Sequence, residues 1–105
     1  MKWEIVLASG LGQSVEMKII ERFQISGRGV VVVGDLQTDF RMGEKLNAIV
    51  IRPDGSKTST AAEKEYALRR IDDVAHEFEV FVLRHVDLAD VPEGSTLDLT
   101  LVSSR

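Results

Sequence analysis

A chain of 105 residues, 44% apolar and 29% charged, is long enough for one hydrophobic core and too apolar to remain disordered. Its lack of cysteine excludes a disulfide framework, a thiolate nucleophile and a thiolate metal site, and fits a reducing compartment. The net charge of −4 argues against a surface built for phosphate backbones. The balance is uneven, however: residues 1–52 hold seven basic and six acidic side chains, and residues 53–105 hold six and eleven.

The chain opens on Met1-Lys2-Trp3-Glu4-Ile5, where Glu4 interrupts the apolar run too early for a signal peptide. No stretch reaches the ~20 apolar residues that a membrane-crossing helix needs, so a cytoplasmic protein with no membrane partner is expected. Trp3 to Leu7 reads as a first strand, ended by Ala8-Ser9-Gly10-Leu11-Gly12. Val15 to Ile25 reads as a longer strand, with Val15, Met17, Ile19, Phe23 and Ile25 on one buried parity. Ser26-Gly27-Arg28-Gly29 is a tight turn, its glycines supplying backbone angles that other residues resist. Val30 to Val33 follows as a β-branched strand closed by Gly34-Asp35. A turn region over Gln37–Glu44 leads to a strand over Lys45–Arg52, and Pro53-Asp54-Gly55 is hairpin chemistry.

Ala61 to Ala75 has the composition of a helix, yet Tyr66 and Leu68 alternate with Ala67 and Arg69 as in a strand. A strand from Lys57 to Ile71 is expected, because a closed sheet without edges needs that length of chain. Glu77 to Val86 alternates again, Phe78, Val80 and Val82 against Glu79, Phe81 and Leu83. After a turn at Val91-Pro92-Glu93-Gly94, Leu97, Leu99 and Leu101 alternate with Thr96, Asp98 and Thr100. Short strands broken by turn signals, with no linker or repeat, predict one all-β domain over residues 1–105.

Gly27-Arg28-Gly29 is the most informative local feature. It is either a plain hairpin turn or an arginine held rigidly for a phosphate or carboxylate. Gly55-Ser56-Lys57-Thr58 has the look of a P-loop end but lacks the preceding glycine, since Val50 stands there. His76, read as part of a charged turn, and His85, read within a strand, have no partner at metal-ligand spacing. Asp72-Asp73 with Glu77 and Glu79 reads as a solvated acidic loop, because Val74-Ala75-His76 breaks the pattern of a calcium loop. No metal and no catalytic residue is expected.

Phe23-Gln24-Ile25-Ser26-Gly27-Arg28-Gly29-Val30-Val31-Val32-Val33-Gly34 resembles the opening of domain 2 in elongation factor Tu and related translational GTPases. There a Phe-x-Ile-x-Gly-Arg-Gly segment leads into a Thr-Val-Val-x-Gly strand. In the same order, Phe40-Arg41-Met42-Gly43-Glu44-Lys45-Leu46 is similar to the family's Ile/Val-Lys-Val-Gly-Glu segment. The stretch from Val82 to Ser95 resembles its Leu-Leu-Arg-Gly-Ile…Asp-Ile-x-Arg-Gly passage, with His85 in place of the first glycine. The three blocks cover about residues 15–100 and imply a closed small β-barrel, with residues 3–7 as an additional strand.

No nucleotide-binding motif accompanies these blocks. The expected function is therefore a stand-alone binding or interaction module with no GTPase activity, no cofactor and a protein partner. Trp3, Phe40 and the odd-numbered face near Phe81 are candidates for its apolar contact patch. The alternative is an RNA- or ribosome-binding accessory domain, since the resemblance implies a barrel that helps hold the aminoacylated end of tRNA. Gly27, Arg28 and Gly29 match the family there, and Arg22, Arg41, Lys45 and Arg52 would complete a basic patch. A small-ligand protein or enzyme would instead require a concave pocket.

Overall fold

The computed structural model describes residues 14–102. The strand expected over Trp3–Leu7, with its turn, lies outside the described residues. Six strands follow in order: β1 (Ser14–Ile25), β2 (Gly29–Gly34), β3 (Lys45–Ile51), β4 (Lys57–Ile71), β5 (Val74–Leu83) and β6 (Thr96–Leu101). A single 3-10 turn, Leu88–Asp90, lies between β5 and β6. All pairings are antiparallel, and the ring β1-β2-β5-β4-β3-β6 closes on itself. The all-β closed barrel predicted from the strand pattern is what forms.

The helix-rich composition after Ala61 yields to pairing. Lys45–Ile51 takes Lys57–Glu63 on one side, and Ala62–Ile71 pairs with Val74–Leu83 on the other. Propensity is worth only tenths of a kcal/mol per residue, and the continuous ladder with β3 and then β5 outweighs it. Inside, Met17, Val30, Val32, Leu46, Val50, Phe81, Leu83, Leu97 and Leu99 are all at most 2% exposed. These side chains fill the barrel interior, which closes that interior to a ligand.

The parity expected for β1 holds for only half of it. Val15, Met17 and Ile19 pack on or into the core, but the register shifts between Ile19 and Glu21. A bulge adds one residue and turns every later side chain to the opposite face. Arg22 therefore shares a face with Val32, while Phe23 and Ile25 point outward and are more than a third exposed. On that outer face Phe23 pairs with Val31, which belongs with Val80 and Val82 to a second apolar cluster.

β5 begins three residues earlier than its alternation suggests. Asp72 and Asp73 form a two-residue turn with φ of 53° and 67°, so pairing resumes at once with Val74 opposite Ile71. This double left-handed geometry is that of a type I′ hairpin, which aspartate tolerates. His76 accordingly sits in the strand opposite Arg69 and not in a turn. His85 lies past the end of β5, exposed and with φ of 60°, and not within a strand. The chain must leave the sheet there to reach Asp87, whose side chain caps the 3-10 turn.

Strand lengths set the shape. β3 accompanies β4 only as far as Glu63, and β2 accompanies β5 only as far back as Phe81. The remainder of β4 and β5 projects past the barrel as a two-stranded ribbon, within overall dimensions of 52 × 34 × 26 Å.

Candidate interaction surface on the projecting hairpin

The ribbon leaves the barrel through a buried polar clamp. Lys64 is 2% exposed on the inner face of β4, and its ammonium lies 2.6 Å from the Glu79 carboxylate on β5. The ammonium also donates to the carbonyls of Thr38 and Phe40. Glu79 in turn accepts from the Thr38 hydroxyl at 2.6 Å and from the Thr38 amide at 3.1 Å. Each buried charge is thus paired and hydrogen-bonded, and among the described residues no buried side-chain polar atom lacks a partner. The connection between β2 and β3 is tied to both strands of the hairpin where they emerge.

Beyond the clamp, apolar side chains face solvent. Tyr66 is 44% exposed, Leu68 72%, Ile71 50% and Val74 56%. On the same two strands nearer the barrel, Ala62, Val80, Phe81, Val82 and Leu83 are buried. Tyr66 and Leu68 lie on the Lys64 face of this ribbon and Ile71 and Val74 on the Arg69 face, so the projecting element shows apolar surface on both sides, of the kind that marks a contact site. Among the described residues the ribbon also has free edges, since β4 beyond Lys64 and β5 before Val80 pair there only with each other.

The outer wall is built differently. Val31, Val80 and Val82 are at most 3% exposed although they face away from the barrel interior. Ion pairs span this wall: Arg28 with Glu65, Arg84 with Glu63 at 2.9 Å, and Arg69 with Glu21 at 2.6 Å. The Arg69 guanidinium also stands 5.2 Å from the Phe78 ring centre. Val33, Ala67 and Phe78 pack against these valines, and the arginines of the ion pairs add long apolar stems to the same wall while their heads stay wet.

The residues singled out in the sequence are divided among several places. Gly29 has φ of 121°, and a Cβ there would lie 2.1 Å from the Leu83 carbonyl oxygen, so only glycine fits. Gly27, at φ of 80°, has open space around it. Arg28 is engaged by Glu65. Arg22 and Arg52 converge on consecutive carbonyls, Arg22 donating to Val91 and Arg52 to Asp90 at 2.8 Å. Arg41 and Lys45 are exposed beside the clamp and make no ion pair among the described residues.

The expected apolar patch is also relocated. Phe40 is 4% exposed and Phe81 1%, both inside the main core, and Trp3 lies outside the described residues. Sequence reasoning missed the clamp and the length of ribbon beyond it. Glu79 alternates with the apolar Phe78 and Val80, whereas Lys64 stands between Glu63 and Glu65 and its only signal was parity with Ala62 and Tyr66. Nothing in their spacing pairs them. No group of three or more His, Cys, Asp or Glu is placed to hold a metal among the described residues, and no helix there is long and apolar enough to cross a membrane. Comparison with protein-family models, with curated proteins and with solved structures gave no match.

Proposed function

We propose that this barrel is a cytoplasmic interaction module, related to domain 2 of the translational GTPases, that contacts a protein partner through its projecting hairpin. The observation that supports this most is the exposed set Tyr66, Leu68, Ile71 and Val74 on a ribbon whose base is locked by Lys64, Glu79 and Thr38. A locked base lowers the ordering cost of binding, and four apolar side chains supply area to bury. The relation to translation factors rests on the three sequence blocks around Gly27, Gly43 and Gly94.

The test is capture from the source cells with tagged full-length chain, wild type against Leu68→Asp/Ile71→Asp. Both sites are exposed, so the variant should fold. A protein that resists moderate salt and is lost with the variant is the expected result. RNA or ribosomal particles that elute as salt rises and depend on Arg28 would overturn it.

A further inference from the structure

The free edge of β4 carries its own complement. Lys64 is the last β4 residue bonded on the β3 side, its carbonyl accepting from Gly43 at 2.7 Å and its amide donating to Glu44 at 3.4 Å. Backbone direction alternates along a strand, so the N–H and C=O groups of Tyr66, Leu68 and Arg70 point the same way. Among the described residues they meet no third strand. Those three residues are spaced evenly about Leu68, and an antiparallel copy centred on it would satisfy all of them.

We propose that two copies of this chain pair edge to edge through β4, antiparallel, with Leu68 opposite Leu68 of the second copy. This deepens the proposed function, resting on the hairpin as contact surface and naming a second copy as the partner. Tyr66 comes beside Arg70 of the other copy, an aromatic ring against a guanidinium. The same register brings the Asp72–Asp73 tip of each copy level with Lys64 of the other. There Arg41 and Lys45 stand exposed on the flanking turn and strand, with Glu44 between them turned back onto the Arg41 amide. Tip and foot lie about 27 Å apart on one copy, eight residues at roughly 3.4 Å each. Antiparallel pairing brings the acidic tip to Arg41 and Lys45 twice. The edge of β5 has no such symmetry, because it offers Ala75, Glu77 and Glu79, and a copy centred on Glu77 would oppose like charges.

The test uses sedimentation of the purified full-length chain across the micromolar range, with cysteine cross-linking. The chain has no cysteine of its own, so Leu68→Cys should give a disulfide-linked dimer, the opposed positions lying within disulfide reach. Arg70→Cys should not, because its like residue would be four positions out of register. Leu68→Pro removes an outward N–H that the hairpin itself does not use and should raise the dissociation constant about 100-fold, two lost hydrogen bonds at about tenfold each. Asp72→Asn/Asp73→Gly keeps the turn and should weaken pairing and its salt dependence together. A monomer at every concentration, equal cross-linking at 68 and 70, or a dimer indifferent to Leu68→Pro would overturn the pairing. If the chain is monomeric yet Leu68→Asp/Ile71→Asp still loses a captured protein, self-pairing fails and the interaction module stands.

Discussion

Replacing Lys64 by methionine should be among the most damaging single changes in the protein. Methionine fills a similar volume, so packing against Phe81 is largely kept and what is lost is the charge together with its hydrogen bonds to the Thr38 and Phe40 carbonyls. Glu79, whose side chain is 9% exposed, would then keep its bonds from Thr38 but have no cation within reach. Breaking a buried pair on one side costs about 3–5 kcal/mol, mostly the penalty of the uncompensated charge. Small domains hold only about 5–15 kcal/mol in total, and each kcal/mol moves the Tm by about 4–8 °C at this size. A fall of at least ~12 °C follows, and urea titration should show a lower midpoint with an unchanged slope. The double variant Lys64→Met/Glu79→Gln removes both charges while leaving an acceptor for the Thr38 amide. It should recover a large part of the loss, so the two single costs will not add. A Lys64→Met cost below ~1 kcal/mol, or strict additivity in the cycle, would refute the account of the clamp as a mutually compensated buried pair.

Gly29→Ala should destabilise the fold far more than Gly27→Ala. The first drives a Cβ onto the Leu83 carbonyl, while the second costs only the ~1–2 kcal/mol of a left-handed L-residue; thermal melts of the two variants compare them directly. Phe81→Ala, emptying the 1% exposed centre of the barrel, should cost about 3–5 kcal/mol by urea titration. Arg28→Ala should change stability by less than ~1 kcal/mol, because its pair with Glu65 is half exposed. The Asp54 carboxyl is held below its ordinary range, first by the Ser56 hydroxyl and then by the Ser56 amide. A depressed folded-state pKa stabilises above the unfolded value and is lost as pH falls through the folded one. Ser56→Ala should therefore raise the Asp54 midpoint in an NMR titration and flatten the acid limb of stability.

Where the fold was legible, local chemistry sufficed. The turns at Ser26–Gly29 and Pro53–Gly55 and the alternation of Leu97, Leu99 and Leu101 depend on neighbours in sequence. β4 was legible too, because Tyr66 and Leu68 keep strand parity inside a helix-forming composition. The bulge after Ile19 was not, since it inserts a residue without any glycine or proline to mark it. That one residue moved Phe23 and Ile25 from the core to the outer wall. Alternation is silent on Phe40 for a related reason: it lies in an irregular connection with no period to follow, where its side chain enters the main core and its carbonyl accepts from the buried Lys64 ammonium. The contact surface was misplaced because exposure of β4 and β5 is set by the lengths of β3 and β2, which alternation along one strand cannot report.

The hairpin is anchored on both of its faces. Lys64, Glu79 and Thr38 hold the inner face, while on the outer face Arg69 lies over Phe78 and bonds Glu21 across the wall. The inner contacts act near the base, the Arg69–Glu21 pair ties the outer face further along, and none of these contacts involves the side chains of Leu68, Ile71 or Val74. Fixing a two-stranded ribbon costs conformational entropy that an isolated hairpin rarely recovers in water. Anchors at the root recover part of it before any partner arrives. The far half then gains its own order by burying the exposed apolar side chains and satisfying the β4 edge. Hydrogen exchange should reflect that division: amides of Val80 and Val82, which face β4, should be strongly protected, and those of Tyr66 and Leu68 weakly so in dilute protein. Protection at Leu68 that rises with protein concentration, while Val80 stays unchanged, is the signature of an edge completed by a second copy. Equal protection at both sites in dilute solution would mean that the edge is already closed within one chain.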